Sequence, residues 1–490
     1  MLFTSIKIES KPEKSKALFG ALASAMLGAG LFLAIIQPGD IHTDGGIFSA
    51  VAYKQLHGGV LYLDAWENKP PGIFVLIELF MLCIPNPVYA VFTLALLAFM
   101  SISAVLFLIT YYNFKSLLLS LSLIPISIYF SVYRNNIGDG LYTEIYGSLS
   151  VLLSILFYVL YRENPNKRNM LLSLMFSTLG CWFKEPFFII CLPLTIFLIY
   201  TYWGKIKTYQ LFLFPLIPTM FFLLYVGVFG SLEGLLKTLL YNFSFAESES
   251  KFTMGFRLQE IYKRLFDYIL PQLIFSMIIL FRNDQLKKNI SQLLMLLFLF
   301  LGAFIFALIS PYEFGHYYYP LFSITFAILP MLYGICEGDK KGYKWLLIII
   351  NLYAMNQMDN ELKPEFMFKI EPYKEDKWSS FLKSQKDKTL FIDYIPKVDY
   401  YVKAEKIHPA YMPVGVSVHF NKDSTGKANT LKMWESLNGQ KPDYLITTYT
   451  TSSFTWSFPD TKFYENNYSK IDSLQKENEL ILYLWKKKSN

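Results

Sequence analysis

Between Ala17 and Gln37 the chain carries no charged residue. A run of that length crosses the hydrocarbon core of a bilayer, and in lipid the backbone must satisfy its own polar groups, so the segment has to be a helix. Lys11, Lys14 and Lys16 precede it. The rival reading is a cleaved signal peptide with Ala21-Leu22-Ala23 as its small-residue site. The apolar run continues well past that point, which favours an uncleaved first helix behind a cytoplasmic tail, residues 1–16. Comparable runs recur at approximately 88–112, 117–133, 143–161, 170–183, 187–203, 209–229, 267–282, 290–310, 317–336 and 343–357, giving about eleven crossings in all. Of 490 residues, 53% are hydrophobic and 17% charged, against roughly a quarter charged in a soluble domain. Charge is sparse to about Ile350 and dense from Met358 to Asn490. The expected architecture is therefore mainly α: a polytopic membrane domain, residues 17–357, followed by a small α/β domain, residues 358–490, outside the cytoplasm.

Gly72–Pro85 is the exception among the apolar runs. It is too short to span and has Glu78 in its middle, as suits an interfacial or re-entrant segment. Placed in a first outer loop, residues 38–87, it leaves the basic groups on one side: Lys115, then Arg162, Lys167 and Arg168, then Lys205 and Lys207, then Arg282, Lys287 and Lys288, then Lys340, Lys341 and Lys344. That is the positive-inside pattern. The outer face then receives the first loop, Tyr133–Tyr142, Lys184-Glu185-Pro186, a long loop Gly230–Phe266, Pro311–His316 and the tail. In the tail, Thr389–Tyr394, Asp443–Thr448 and Leu480–Trp485 read as strands, and Lys374–Lys383 and Lys427–Leu437 as helices. The cysteines, Cys83, Cys181, Cys191 and Cys336, all lie in or beside apolar runs, which argues against a disulfide framework or a thiolate metal site. The net charge of +7 forms no basic stripe of the kind that binds nucleic acid.

The unusual polar residues collect on the outer face: Asp40, His42, Asp44, Asp64, Glu67 and Lys69 in the first loop, Arg134, Asp139 and Glu144 in the second, Lys184 and Glu185 in the third, Glu313 and His316 in the fifth. Convergence of separate segments on one side suggests one composite site, with solvated loop charge as the plain alternative. Asp44 precedes Gly45-Gly46, which allow tight turns, and then a segment with Ile47, Val51 and Leu56 on one helical face. The carboxylate belongs at the N-terminal end of a helix lying along the interface, as a general base or as an N-cap. In Asn68-Lys69-Pro70-Pro71-Gly72 a lysine fixed by prolines at headgroup level suits a phosphate, or snorkels. His316, ahead of Tyr317-Tyr318-Tyr319-Pro320, suits phosphate, metal or an aromatic belt, and Lys184 is placed to pair with Glu185. The chain lacks the signatures of P-loop nucleotide hydrolysis, dinucleotide redox, the serine nucleophile elbow and zinc peptidases.

The first loop resembles that of the GT-C superfamily of polytopic glycosyltransferases, and within it family 39, which includes protein O-mannosyltransferases and bacterial enzymes that decorate lipid A with aminoarabinose. The residues that carry the likeness are Asp44-Gly45-Gly46, Ala52, Leu56-His57-Gly58-Gly59, Leu61-Tyr62, Asp64 and Lys69-Pro70-Pro71-Gly72-Ile73-Phe74. Glu144, Lys184 and His316-Tyr317-Tyr318-Tyr319-Pro320 are weaker matches, and the tail matches only in position. The resemblance implies Asp44 as the residue that activates the acceptor and Lys69 as the contact to a lipid-linked phosphate, with Lys184, His316 and Arg134 in support. Asp64, Glu67, Glu144 and Tyr317 are the candidates for holding acceptor or sugar. Protein mannosyltransferases have an Asp-Glu pair where this chain has Asp44-Gly45, which weakens the case for a protein acceptor. The lipid A enzymes have Glu, a proposed metal ligand, where this chain has Asn68. A divalent metal thus stays open, with Glu67, His316 and His42 as candidate ligands.

Outside the membrane there is no pool of nucleotide sugars, so an activated sugar has to arrive on a membrane lipid. The resemblance then implies transfer from a polyprenyl-phosphate donor to a hydroxyl of a lipid, glycan or protein acceptor at the outer face of a bacterial plasma membrane. Anomeric inversion and an oxocarbenium-like transition state are expected. Competing readings are a polysaccharide polymerase or ligase, which the Gly230–Phe266 loop keeps open, and a transporter or flippase of lipid-linked sugars. A transporter would place its titratable groups near the bilayer midplane instead of at one face.

Overall fold

Helix prevails, as the apolar runs require. A computed structural model describes residues 11–41, 43–128, 140–248, 254–266, 289–309, 315–335, 345, 348, 349, 351, 372–393, 397–411, 413, 432, 435–449, 466–475 and 481–488. The helices up to residue 229 are α1 (Lys11–Ile35), α2 (Thr43–Leu56), α3 (Gly72–Cys83), α4 (Pro87–Phe114), α5 (Leu117–Ile128), α6 (Thr143–Glu163), α7 (Lys167–Leu179), α8 (Phe188–Tyr202) and α9 (Thr208–Phe229). Then come α10 (Leu232–Ser248), α11 (Met254–Phe266), α12 (Ile290–Ile309) and α13 (Tyr319–Ile335), and in the tail α14 (Lys377–Ser384) and α15 (Tyr400–Lys403). Among the described residues, seven helical segments are long and apolar enough to cross a membrane: Glu13–Ala34, Pro87–Phe114, Thr143–Glu163, Glu185–Tyr202, Thr208–Phe229, Ile290–Ile309 and Gly315–Ile335. The expected crossing at 267–282, nearly all of that at 343–357, and His42, Arg134, Asp139 and Glu313 lie outside the described residues. The short run with Glu78 is α3, of 12 residues. Within 230–266, expected as a loop, Leu232–Ser248 and Met254–Phe266 are helical. In α10 the residues Leu235, Thr238 and Tyr241 recur at helical spacing and are buried, so one face has packing to gain.

The chain clusters into two compact units, one of Met1–Gln37, Ala95–Phe222 and Ser250–Ile370, the other of Pro38–Leu94, Leu223–Glu249 and Glu371–Asn490. In the first, helices meet through small and hydroxylated residues, the usual currency of helix contact where no water is displaced. Gly20 and Gly28 of α1 leave no room for a Cβ against Phe107 and Ser103 of α4, and Ser24 Oγ between them donates to the Ser103 carbonyl at 3.0 Å. Ser154 donates from α6 to the Ser173 carbonyl of α7 at 2.8 Å. Ser177 of α7 and Thr195 of α8 share a hydrogen bond of 2.7 Å. Gly302 of α12 lies against the backbone of Ile189 and Ile190.

The second unit joins the first loop to the tail. The tail carries a sheet of β1 (Leu390–Ile392), β2 (Tyr444–Tyr449), β3 (Tyr468–Gln475) and β4 (Ile481–Lys487) in the order β1-β2-β4-β3. The β1–β2 pair is parallel and the other pairs antiparallel. Asp443 fixes the start of the parallel pair by accepting the Thr389 N–H at 2.9 Å, and Asp376 caps α14 through the N–H groups of Trp378 and Ser379. The core of this sheet takes in Ala50 of α2, with Ile47 packed against it, beside Trp378, Leu382, Val398, Tyr401, Ile446 and Leu484. An apolar face that would otherwise lie open on α2 is thereby closed by the tail.

Candidate active site

Asp44 stands in the first turn of α2. The helix begins at Thr43, so Asp44 is inside it and not at the cap position. Gly45 and Gly46 also lie within α2, buried, and form no turn. At Gly46 a Cβ would collide with Val398 of the tail, so the glycine serves close packing. The Asp44 carboxylate is half-buried and makes no hydrogen bond or ion pair with any described residue, which leaves its lone pairs available. Its charge reaches Glu67, whose carboxyl is raised above the usual carboxylate range, first by burial and then by Asp44, with Lys69 and the Asn68 N–H pulling the other way.

Lys69 is held where α2 begins. Its Nζ lies 3.6 Å from Glu67 Oε1, donates to Asn68 Oδ1 at 2.5 Å and sits 5.8 Å from the centroid of Phe48, one helical turn on from Asp44. Phe48 meets Phe74 of α3 edge to face at 6.1 Å. The loop backbone is pinned from three directions. Tyr62 OH donates to the Lys69 carbonyl at 2.8 Å, Asn242 of α10 to the Asn68 carbonyl at 2.5 Å, and Trp66 Nε1 to Thr238 of α10 at 3.0 Å. Tyr62 takes a left-handed φ of 65°, a strained value for a residue with a bulky side chain. The arrangement sets a free carboxylate beside a buried acid and a tethered ammonium, on rigid supports.

Asp64 does not join this group. The Lys54 ammonium donates to its carbonyl at 2.8 Å, and Lys54 is in the last turn of α2, about 15 Å along the axis from Asp44.

The first unit holds the other candidates together. Glu144, in the first turn of α6, is paired with Lys184 and lies 3.8 Å from His316 Nε2. Lys184 Nζ sits 3.9 Å from the Tyr317 ring centroid, and His316 stacks on Tyr142 at 4.3 Å. Glu144 and Lys184 are both buried. The expected Lys184–Glu185 pair is thus replaced. Lys184 is extended (φ −157°) ahead of the 3-10 turn Glu185–Phe187, and it reaches across to α6. Glu144, Lys184, His316 and Tyr317 form one cluster, and Asp44, Glu67 and Lys69 another, in different units.

Among the described residues, no three His, Cys, Asp or Glu side chains gather as a metal site would require. Phe48, Asn242 and Tyr142 were not singled out from the sequence as site residues. Phe48 had a signal, as the aromatic one turn after Asp44. Asn242 had none, because its partner is 174 residues away. The chain matches no protein-family model, and no curated protein is significantly similar to it.

Proposed function

We propose that the chain is an inverting glycosyltransferase of GT-C type, with about eleven crossings and its site at the outer face of a bacterial plasma membrane. The observation that carries this reading is the junction of Asp44, Glu67 and Lys69 at the start of α2. The donor is a sugar on a polyprenyl phosphate. Asp44 accepts the proton of an acceptor hydroxyl, and the oxygen attacks the anomeric carbon opposite the phosphate. The bond from that carbon to the phosphate oxygen breaks with its electron pair, and the sugar's configuration inverts. Charge develops on the leaving phosphate, which the Lys69 ammonium stabilises better than water does because it is already oriented. Glu67, protonated more readily than an ordinary carboxylic acid, positions Lys69 without fully neutralising it. The Glu144–Lys184–His316 cluster is not required by this mechanism.

The test is transfer from labelled polyprenyl-phosphate sugars in membranes bearing matched amounts of wild type, Asp44→Asn and Lys69→Ala. Asp44→Asn is expected to lose about 10²–10⁴-fold in rate, and Lys69→Ala about 10²–10³-fold. Full activity in Asp44→Asn would remove Asp44 as the base, and absence of transfer by the wild type from every donor would sink the transferase reading.

A further inference from the structure

An open cleft of about 460 Å³ lies in the second unit, away from Asp44, where the turn after α2 meets the tail. One wall is the segment from His57 to Asp64; the other includes His408, Tyr411 and Lys432. Gly58 turns the first wall with φ +92°, a conformation natural to glycine.

Two ammonium groups hold consecutive carbonyls of that wall. Lys54 Nζ donates to the Asp64 carbonyl at 2.8 Å and to that of Ala410 at 2.9 Å. Lys432 Nζ reaches the Leu63 carbonyl at 3.4 Å and lies 3.7 Å from the Tyr411 centroid. Among the described residues, neither lysine has a carboxylate within ion-pair distance. Burial pushes Lys54 down to about 8, and the nearby Asp64 charge only partly opposes this. Lys432 is lowered too, again by burial first. Lys54 is half-buried and Lys432 exposed; Asp64 on the same wall offsets part of their charge without pairing with either, which leaves an anionic ligand a place to bind.

His408 supplies a different requirement. It is fully buried, and its Nδ1 is 2.9 Å from the Ala410 carbonyl. A carbonyl only accepts, so Nδ1 carries the hydrogen. Burial and the Lys54 charge hold the imidazole well below its ordinary pKa, so it is neutral and Nε2 is a bare acceptor. Nε2 has no partner among the described residues, and a buried acceptor left unmatched costs free energy. An anion without a hydroxyl, such as sulfate, brings no hydrogen to donate; a sugar hydroxyl does.

We propose that this cleft binds an anionic saccharide, with its carboxylate or phosphate on Lys54 and Lys432 and a sugar hydroxyl donating to His408 Nε2. The volume lies within the range of small-molecule sites. As the docking point of the acceptor glycan, the assignment rests on the transferase reading; as a binding site, it does not.

The experiment is amine acetylation of the full-length protein in lipid nanodiscs, followed at Lys54 and Lys432 by mass spectrometry, with exposed Lys263 as the reference. The probes are digalacturonate, glucose 6-phosphate, neutral cellobiose and sulfate. Digalacturonate or glucose 6-phosphate should slow acetylation of both lysines, roughly tenfold at about ten times its Kd. Cellobiose and sulfate should leave it unchanged, and the Lys432→Met variant should lose protection at Lys54. Which acidic sugar protects decides between carboxylate and phosphate. Equal protection by sulfate would overturn the saccharide assignment, and no protection by either acidic sugar would overturn the site. Protection without any sugar transfer by the wild type would keep the site and remove the transferase; Asp44-dependent transfer without protection would do the reverse.

Discussion

Glu78 shows how much a single side chain can carry outside the crossings. It lies buried on α3 and accepts from Tyr225 OH at 2.5 Å, while that hydroxyl accepts from Gln55 Nε2 at 2.7 Å. Burial pushes its carboxyl from 4.5 up to about 7, with the Tyr225 hydrogen bond opposing. The folded chain therefore holds this proton more tightly than the unfolded chain. The resulting stabilisation is complete below pH 4.5 and is lost as pH rises through about 7, up to roughly 3 kcal/mol in all. Thermal unfolding in detergent should show a wild-type midpoint that falls between those limits relative to Glu78→Gln. Parallel pH profiles for the two proteins would refute it. Glu144 and Lys184 make a different case. Glu144→Ala leaves a buried ammonium unpaired and is expected to cost about 3–5 kcal/mol, whereas Glu144→Gln combined with Lys184→Met should be much milder. The same melts read both, and a double variant as damaged as the single would show that the pair is not the source of the loss. The sequence marks Glu78 as out of place in an apolar run, and Glu144 and Lys184 as polar groups at the ends of such runs. It does not reveal their partners, because Glu144 and Lys184 are 40 residues apart and Glu78 and Tyr225 are 147 apart.

At the scale of elements, two similar glycine pairs have separate uses. Gly45-Gly46 reads as a turn in the sequence, whereas Gly58-Gly59 enters only through the resemblance of the first loop. Gly46 is instead a contact point inside a helix, and Gly58 is a turn residue with open space where a Cβ would go. Gly46→Val should therefore force α2 away from Val398 and cost about 1–3 kcal/mol, seen as faster proteolysis of the tail. Gly58→Ala should cost about 1 kcal/mol or less, from backbone strain alone. Equal losses would contradict the difference in packing. Elements with strong periodicity were legible: the apolar helices, α2 with Asp44 at its start, the short α3, and β1, β2 and β4. β3 was not, because Tyr468–Gln475 is mostly polar and its register shifts between Lys470 and Asp472, which breaks the alternation that marks a strand. The helical spacing in α10 was present, but the distance between two crossings invited the reading of a loop.

For the whole molecule, the shared core of α2 and the tail has a topological consequence. Ile47 and Ala50 pack with residues of the sheet, and a bilayer cannot pass through a hydrophobic core. If the chain spans a membrane, it crosses it an even number of times between Leu56 and Glu371. The crossings expected after the first loop, about ten by length and hydropathy, meet that condition, and the positive-inside expectation from the basic loops also has the tail on the same face as Asp44. The expectation from charge patterning and the parity that packing requires thus agree by unrelated physics: the first concerns how segments insert, the second which surfaces must exclude water. In a cysteine-free background, with Cys83, Cys181, Cys191 and Cys336 replaced, Leu63→Cys in the exposed turn and Ser473→Cys in β3 should both react with an impermeant maleimide on intact cells. Lys205→Cys, in a basic loop, should react only after the membrane is opened. If Leu63→Cys labels from outside and Ser473→Cys only after lysis, the common core is wrong, and with it the tail's wall of the cleft. If both label only after lysis, the core survives but the site faces the cytoplasm. Nucleotide sugars would then be within reach, and the argument for a lipid-borne donor would lose its premise.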